Sequence, residues 1–331
     1  MINFKQYFRS HLKANLKPII YIITVVLFLT FMIAINEEKT YSFGTARFQS
    51  TLSVPVMFMS ILSYVLPIME FSFFKKRINL DCAYSLPISR RTMGTVHYLT
   101  GLITLFGAFS ASYLLNFIIM LSRGENYFNL TPILPHYFLC LFLGFAMYSV
   151  MAFVFNEANT MGDGIWFMVL YTFVFVLVFF AFGEMTDLKN VIDSSVLTPY
   201  GVISQLTSHY QCIVENAKYT IRFWDKPGYY IGFIFWGIFG IASAVGFFLT
   251  FGKRRMEKTE EISDSWLGFR TLIPIYAVSG MISFNAYNYL TIWVIIELLA
   301  LLGYTIYRRG FHYKPSDIII LGAILPIFLF I

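Results

Sequence analysis

Six stretches in the first 255 residues of this chain are apolar over the length that a lipid bilayer requires. They run from Pro18 to Ile35, Leu52 to Phe74, Thr95 to Leu121, Ile133 to Phe155, Gly164 to Gly183 and Tyr229 to Phe251. A spanning helix needs about 20 mostly apolar residues to cross roughly 30 Å of hydrocarbon at about 1.5 Å per residue. Backbone in lipid must satisfy its hydrogen bonds internally, which leaves helices or closed barrels. The alternating segments of about ten residues that build a barrel are absent from the sequence. Composition agrees, because only 13% of the 331 residues are charged, against about 25% in soluble domains. The sequence therefore predicts an all-α polytopic integral membrane protein.

The flanks extend this pattern. In residues 1–17, Phe4, Tyr7, Phe8, Leu12 and Leu16 recur at helical spacing, with Lys5, Arg9, Lys13 and Lys17 beside them. That spacing predicts an interfacial amphipathic helix; a basic flank without set conformation is the simpler reading. Pro18 is placed at the start of the first span, where its missing N–H is harmless, and Pro55 and Pro67 predict kinks in the second. Beyond the sixth span, Leu272–Ala286 and Asp317–Ile331 are shorter apolar runs, and Tyr289–Ile306 between them is a good span. Counting them gives nine spans: a core over 18–255 and two or three additional spans in 256–331.

Charge sets the orientation. With the N-terminus inside and strict alternation, 17 of the 24 Lys and Arg residues fall on the inner side. This excess follows the positive-inside rule and accounts for the net charge of +6 without nucleic acid. It predicts a cell (cytoplasmic) membrane protein with a cytoplasmic N-terminus and an external segment over 184–228, which either folds back as short helices or is a solvated loop. Cys82, Cys140 and Cys212 then lie in different compartments, so no internal disulfide is expected, and His and Cys show no metal-site spacing in the sequence.

No catalytic motif emerges. The nearest approach to a phosphate loop, Gly246 to Arg254, has five residues between its glycines where four are needed, and Arg254 stands where a hydroxyl must hold magnesium. Glu37-Glu38 and Glu260-Glu261 pair like the glutamates of intramembrane CAAX-type proteases, but Ser42 and Ser265 occupy the position of the required arginine. The candidate intramembrane polar residues are Glu70, Asn116, Glu157 and Glu297. Glu297 lies in mid-span and should face the interior; Glu70 and Glu157 lie near span ends, and Asn116 is read as glue between helices. Small residues at four-residue spacing, Gly107/Ala111 and Ala108/Ser112, then Gly240/Ala244 and Ala242/Gly246, allow close helix approach either within the chain or between copies. Most of the 37 Phe and 22 Tyr are assigned to lipid-facing and interfacial positions.

The densest basic segment between two spans is 73–94. It holds Lys75, Lys76, Arg77, Arg90 and Arg91 around Asp81, Tyr84, Ser85, Leu86, Pro87, Ile88 and Ser89. With Phe74-Lys75-Lys76-Arg77, Asp81 and the run Tyr84 to Arg91 ahead of a span near His97-Tyr98-Leu99, the chain resembles the type-2 ABC transporter permease family, in a longer variant with extra C-terminal helices. The layout of 1–255 fits the same resemblance.

The resemblance implies a permease subunit coupled to separate ABC ATPase subunits, which bind ATP and Mg. A helix over 78–89 would dock on the ATPase, with Asp81 capping or orienting it, Leu86-Pro87 ending it, and Tyr84, Ile88, Arg90 and Arg91 contributing to the docking surface or to lipid contacts. A second permease copy or a sibling permease would complete the pore, and the cargo would be an exported peptide, antibiotic or lipid-like molecule. A membrane-embedded enzyme of the protease or lipid-modifying kind, and a non-transporting immunity or sensor subunit, are the alternatives.

Overall fold

A computed structural model of the chain describes residues 3–36, 46–85, 87–122, 130–186, 198, 200–204, 213–215, 218–220, 227–253, 258–263, 265–283, 290–319 and 322. The principal helices are α1 (Phe4–Asn36), α2 (Ala46–Phe71), α3 (Arg77–Tyr84), α4 (Arg90–Ser122), α5 (Leu130–Glu157), α6 (Met161–Thr186), α7 (Pro227–Phe251), α8 (Phe269–Ser283) and α9 (Leu290–Arg308). A 3₁₀ turn, Ser72–Lys75, follows α2. Among the described residues, six helices are long and apolar enough to cross a membrane: α1, α2 with its 3₁₀ turn, α4, α5, α6 and α7. The molecule is a multi-pass helical membrane protein.

α1 is one continuous helix of 33 residues, with Pro18 inside it and not at its start. Proline at that position deprives the Ala14 carbonyl of its helical donor, yet the helix runs through. At about 50 Å, α1 exceeds the hydrocarbon thickness, so part of it lies outside. Pro55 and Pro67 likewise lie inside α2.

α5 is the most enclosed span. It packs most extensively on α7 and also meets α2, α4 and α6. The α5–α7 contact rests on missing side chains. A Cβ at Gly240 would come within 2.4 Å of the Ala146 Cβ and 2.5 Å of its Cα, and one at Gly237 within 2.8 Å of the Phe142 ring. In lipid, helices associate through such close packing because apolar side chains gain nothing by leaving the solvent. Gly240 and Gly246 of the sixth-span ridge therefore pack within the chain, whereas Ala242 is exposed. In the third-span ridge, Gly107 faces Ile23 of α1, and the Ser112 hydroxyl pairs with Thr30 at 2.8 Å.

The assignment of the aromatic rings to lipid is corrected in part. Phe71, Phe109, Phe155, Phe167, Phe247 and Tyr148 are fully buried. They form edge and tilted contacts, with Phe71–Phe247 centroids at 5.1 Å and Tyr98–Tyr148 at 5.3 Å, the geometry that ring quadrupoles favour. A bundle fastened at glycines leaves gaps elsewhere that only large side chains fill.

The C-terminal helices extend the bundle sideways. α8 packs on α6, and α9 on α8. The Tyr276 hydroxyl donates to the Leu170 carbonyl, and Phe269 stands edge-on to Phe167 at 4.8 Å. α8 has 15 residues, about 22 Å, and α9 has 19, about 28 Å. Of the run expected over Asp317–Ile331, positions 317–319 belong to a helical turn that starts at 315, and most of the remainder lies outside the described residues.

The described residues of the segment 184–228 include a helical turn and a hairpin, the second of which the sequence reading did not foresee. Thr198 caps a helical turn at 200–204 by accepting the Gly201 N–H at 2.9 Å, and Val202 and Ile203 are fully buried in the core. Farther on, Ile213–Glu215 (β1) and Lys218–Thr220 (β2) pair antiparallel, Val214 opposite Tyr219. β-branched and aromatic residues on either side of a two-residue connection suit a hairpin.

Gly240→Leu should lower the thermal unfolding temperature of the detergent-solubilised chain by the equivalent of about 1–3 kcal/mol, because the α5–α7 seam cannot open locally. Gly162→Ala, where an added Cβ meets nothing within 4 Å, should leave stability unchanged or raise it by up to about 1 kcal/mol. Scanning fluorimetry of both variants checks the contrast.

Candidate functional site

The loop 73–94 is built from short elements bonded to the segments on either side of them. After α2 the chain tightens into the 3₁₀ turn Ser72–Lys75. The last turn of α5 leaves carbonyls without helical donors and carries the negative end of the helix dipole. The Lys75 ammonium meets that end, donating to the Phe155, Asn156 and Ala158 carbonyls at 2.7, 3.2 and 2.6 Å and lying 4.8 Å above the Phe155 ring. Only 2% of Lys75 is exposed. The sequence reading placed it among loop cations; the fold makes it the pin between α2 and α5.

α3 follows directly. Its Leu80 is buried while Ile78 is 78% exposed. Arg77, its first residue, is tied to the segment after α7: Nε donates to the Thr259 carbonyl at 2.8 Å, and its backbone N–H to Glu260 Oε1 at 3.2 Å. Arg77 also pairs with Glu261 at 3.6 Å. Glu260 adopts φ 69°, a left-handed conformation uncommon for a side chain that is not glycine. Its N–H donates to the Asn159 carbonyl at 3.3 Å, and its own carbonyl accepts from Arg309 at 3.4 Å. Glu260 and Glu261 are thus partners of Arg77, a role their spacing alone did not reveal; Glu37-Glu38 lie outside the described residues.

α4 begins at Arg90, five residues earlier than the span was placed. Ser89 caps it, its Oγ accepting the Thr92 N–H at 3.1 Å. Pro87-Ile88-Ser89-Arg90 is therefore a helix-start signal. The expected helix over 78–89 is Arg77–Tyr84 instead, and it stops before Leu86-Pro87. Asp81 sits within its length and cannot be its N-cap. The side chains of Asp81 and Tyr84, and Leu86 altogether, lie outside the described residues. Pro87 and Arg90 are exposed and Ile88 is half-buried. Arg91 lies over Gly252, where a Cβ would touch its Cγ at 2.7 Å.

The intramembrane polar residues separate into different roles. The Asn116 amide donates to the Ser112 carbonyl of its own helix at 3.2 Å, and its Oδ1 is buried without a hydrogen-bond partner among the described residues. It bonds within α4 and not across helices. Glu157 ends α5 and accepts from the Ser265 hydroxyl at 3.2 Å. Glu297 shares a helix face with buried Trp293, Ala300 and Tyr304, and its Oε2 is buried without a partner among the described residues.

Glu70 is different, because the fold brings two histidines to it. Oε2 lies 3.0 Å from His97 Nδ1 and 3.3 Å from His11 Nε2. The His11 and His97 ring centroids are 4.1 Å apart, and the three side chains are 11–13% exposed. They line a cavity of about 460 Å³ together with Tyr7, Asn15, Phe74 and Met93. Sequence reasoning missed both histidines, which are separated from Glu70 by 59 and 27 positions.

A second, wider cleft of about 1200 Å³ lies between the ends of α5, α7 and α9. Lys253, Lys258, Arg309, His312 and Lys314 line it, against Glu157 and Glu261. Arg308 at its edge forms a two-pronged pair with Asp317, at 3.0 and 3.1 Å, the geometry that matches guanidinium to carboxylate.

The class that this architecture defines is a multi-pass membrane protein whose basic segments are cross-braced at one end of the bundle. No protein-family model, curated protein or solved structure matches the chain.

Lys75→Met keeps the volume but leaves buried carbonyls without a donor, so it should destabilise the chain by about 1–3 kcal/mol and increase protease cleavage within 77–91. Arg77→Ala should lose less than about 1 kcal/mol, because its guanidinium is more than half exposed. Thermal unfolding and limited proteolysis of the two variants check the ranking.

Proposed function

We propose that the chain is the permease subunit of an ATP-driven transporter of the type-2 ABC class, in the longer form with additional C-terminal helices. It sits in the cytoplasmic membrane with its N-terminus inside, and exports a peptide, antibiotic or lipid-like substrate. ATP and Mg belong to separate ABC ATPase subunits, and a second copy or a sibling permease completes the pathway.

The observation that carries this reading is the mounting of α3. A short helix between two spans exposes an isoleucine, while the residues at its start are bonded to α5 through Lys75 and to 259–261 through Arg77. A displacement of α3 is therefore passed to α2, α4, α5 and the segment leading to α8 as a rigid-body shift. That is the mechanical requirement of a loop driven by a partner. In this reading the first turns of α1 lie at the interface, and α8 and α9 are the extra spans.

The test is co-expression with an ABC ATPase subunit, sought among the reading frames that neighbour the one encoding the chain. Ile78→Asp and Arg90→Glu should each reduce ATPase co-purification at least about tenfold, the effect of a lost hot-spot contact, and abolish transport while membrane insertion is retained. Wild-type chain alone should hydrolyse no ATP. ATPase binding retained in both variants, or ATP turnover by the isolated chain, overturns the proposal.

A further inference from the structure

Three helices meet at one carboxylate oxygen. His11 comes from α1, Glu70 from the last turn of α2 and His97 from the second turn of α4. The three donor atoms lie within 4.8 Å of one another. Zinc binds imidazole nitrogen and carboxylate oxygen at about 2.0–2.2 Å in a tetrahedron, which places neighbouring donors about 3.3 Å apart. The two distances to Glu70 Oε2, 3.0 and 3.3 Å, are at that separation, so small ring rotations would admit an ion among the three donors.

We propose that His11, Glu70 and His97 form a binding site for a divalent transition-metal cation of the zinc class. The donor set argues for this chemistry. Two imidazoles and one carboxylate suit zinc and its neighbours, whereas magnesium and calcium take oxygen ligands. Three protein ligands leave a fourth position, and the adjoining 460 Å³ cavity has ample room for a water, whose share of liquid volume is about 30 Å³. Asn15 lies one turn beyond His11, its amide nitrogen 2.9 Å from His11 Nε2, and an ion bound at that nitrogen displaces this contact.

The site also has a physical task. α1 is the least enclosed of the six long helices and makes its main contact with α4. An ion at His11 fastens α1 to both α2 and α4 near the base of the 73–94 loop. Because the three ligands converge only in the folded chain, the ion stabilises that state by mass action. The proposal does not rest on the transporter reading.

The experiment uses the full chain, purified in detergent and stripped with a chelator, with Zn²⁺ and Co²⁺ as probes. Zn²⁺ titration should give one ion per chain and a rise in thermal unfolding temperature, and Co²⁺ should give the visible absorption of a low-coordinate nitrogen and oxygen site. His11→Gln and His97→Gln should each weaken Zn²⁺ at least about tenfold and remove the cobalt spectrum, whereas His312→Gln in the basic cleft should change neither. Should His97→Gln fail to fold, His11→Gln on the outlying helix decides alone. No uptake by the wild-type chain, or equal uptake by the His11 and His312 variants, overturns the proposal.

Discussion

One ammonium group holds the basic end of the bundle together. Lys75 leaves α2 at its end and is received by three carbonyls at the end of α5. A buried lysine is tolerated only where every donor finds an acceptor, and a helix C-terminus offers several within one turn together with a favourable dipole. Position follows from this contact. With α2 pinned to α5, α3 starts where Arg77 can reach Thr259 and Glu261, and the chain between α5 and α6 lies where Asn159 and Asp163 receive the segment at 260–263. Remove the pin and the end of α2 loses its polar tie to the end of α5, while Arg77, Asn159 and Asp163 still hold the 259–263 segment.

Within the bundle the work is divided differently. Glycine and alanine set the spacing between α5 and α7, and buried rings fill the volume that this spacing leaves. Hydroxyls tie neighbouring helices at few points: Thr30 to Ser112, Tyr98 to Ser149 at 2.6 Å, and Tyr64 to Thr172 at 2.7 Å. Such bonds are each modest in lipid, but they select one rotation of each helix among the many that apolar packing tolerates. The histidine pair at Glu70 belongs to this class of contact and exceeds it, because three ionisable groups share one atom.

The candidate loop was legible as a location and not as a mechanism. Its cations and its proline–serine block marked an entry to the next helix, and Ser89 does cap α4. The division of labour among those cations was hidden. Lys75 and Arg77 look alike in a string of basic residues, yet one is buried and the other half-exposed, because burial depends on what α5 and the 258–263 segment place beside them. The aromatic residues misled for a related reason: composition cannot say which face of an all-apolar helix meets protein and which meets lipid. The β1–β2 hairpin fell in a segment read as either helix or plain loop, since short β-branched runs carry too little periodicity to separate strand from helix.

The amino-acid sequence by itself determined the material, a bundle of membrane-length helices, but not their number: it counted nine spans, and six helices among the described residues are long and apolar enough. Runs of some twenty apolar residues admit one backbone solution in hydrocarbon, the helix, because every N–H must find its acceptor within the segment. That argument is local and needs no partner. The tertiary structure alone decided which polar groups meet: Lys75 with the end of α5, Arg77 with Thr259, and His11 and His97 with Glu70. These pairings span from 27 to 182 positions along the chain. They exist because helix packing brings the residues to one place, and no pattern within any single helix encodes them.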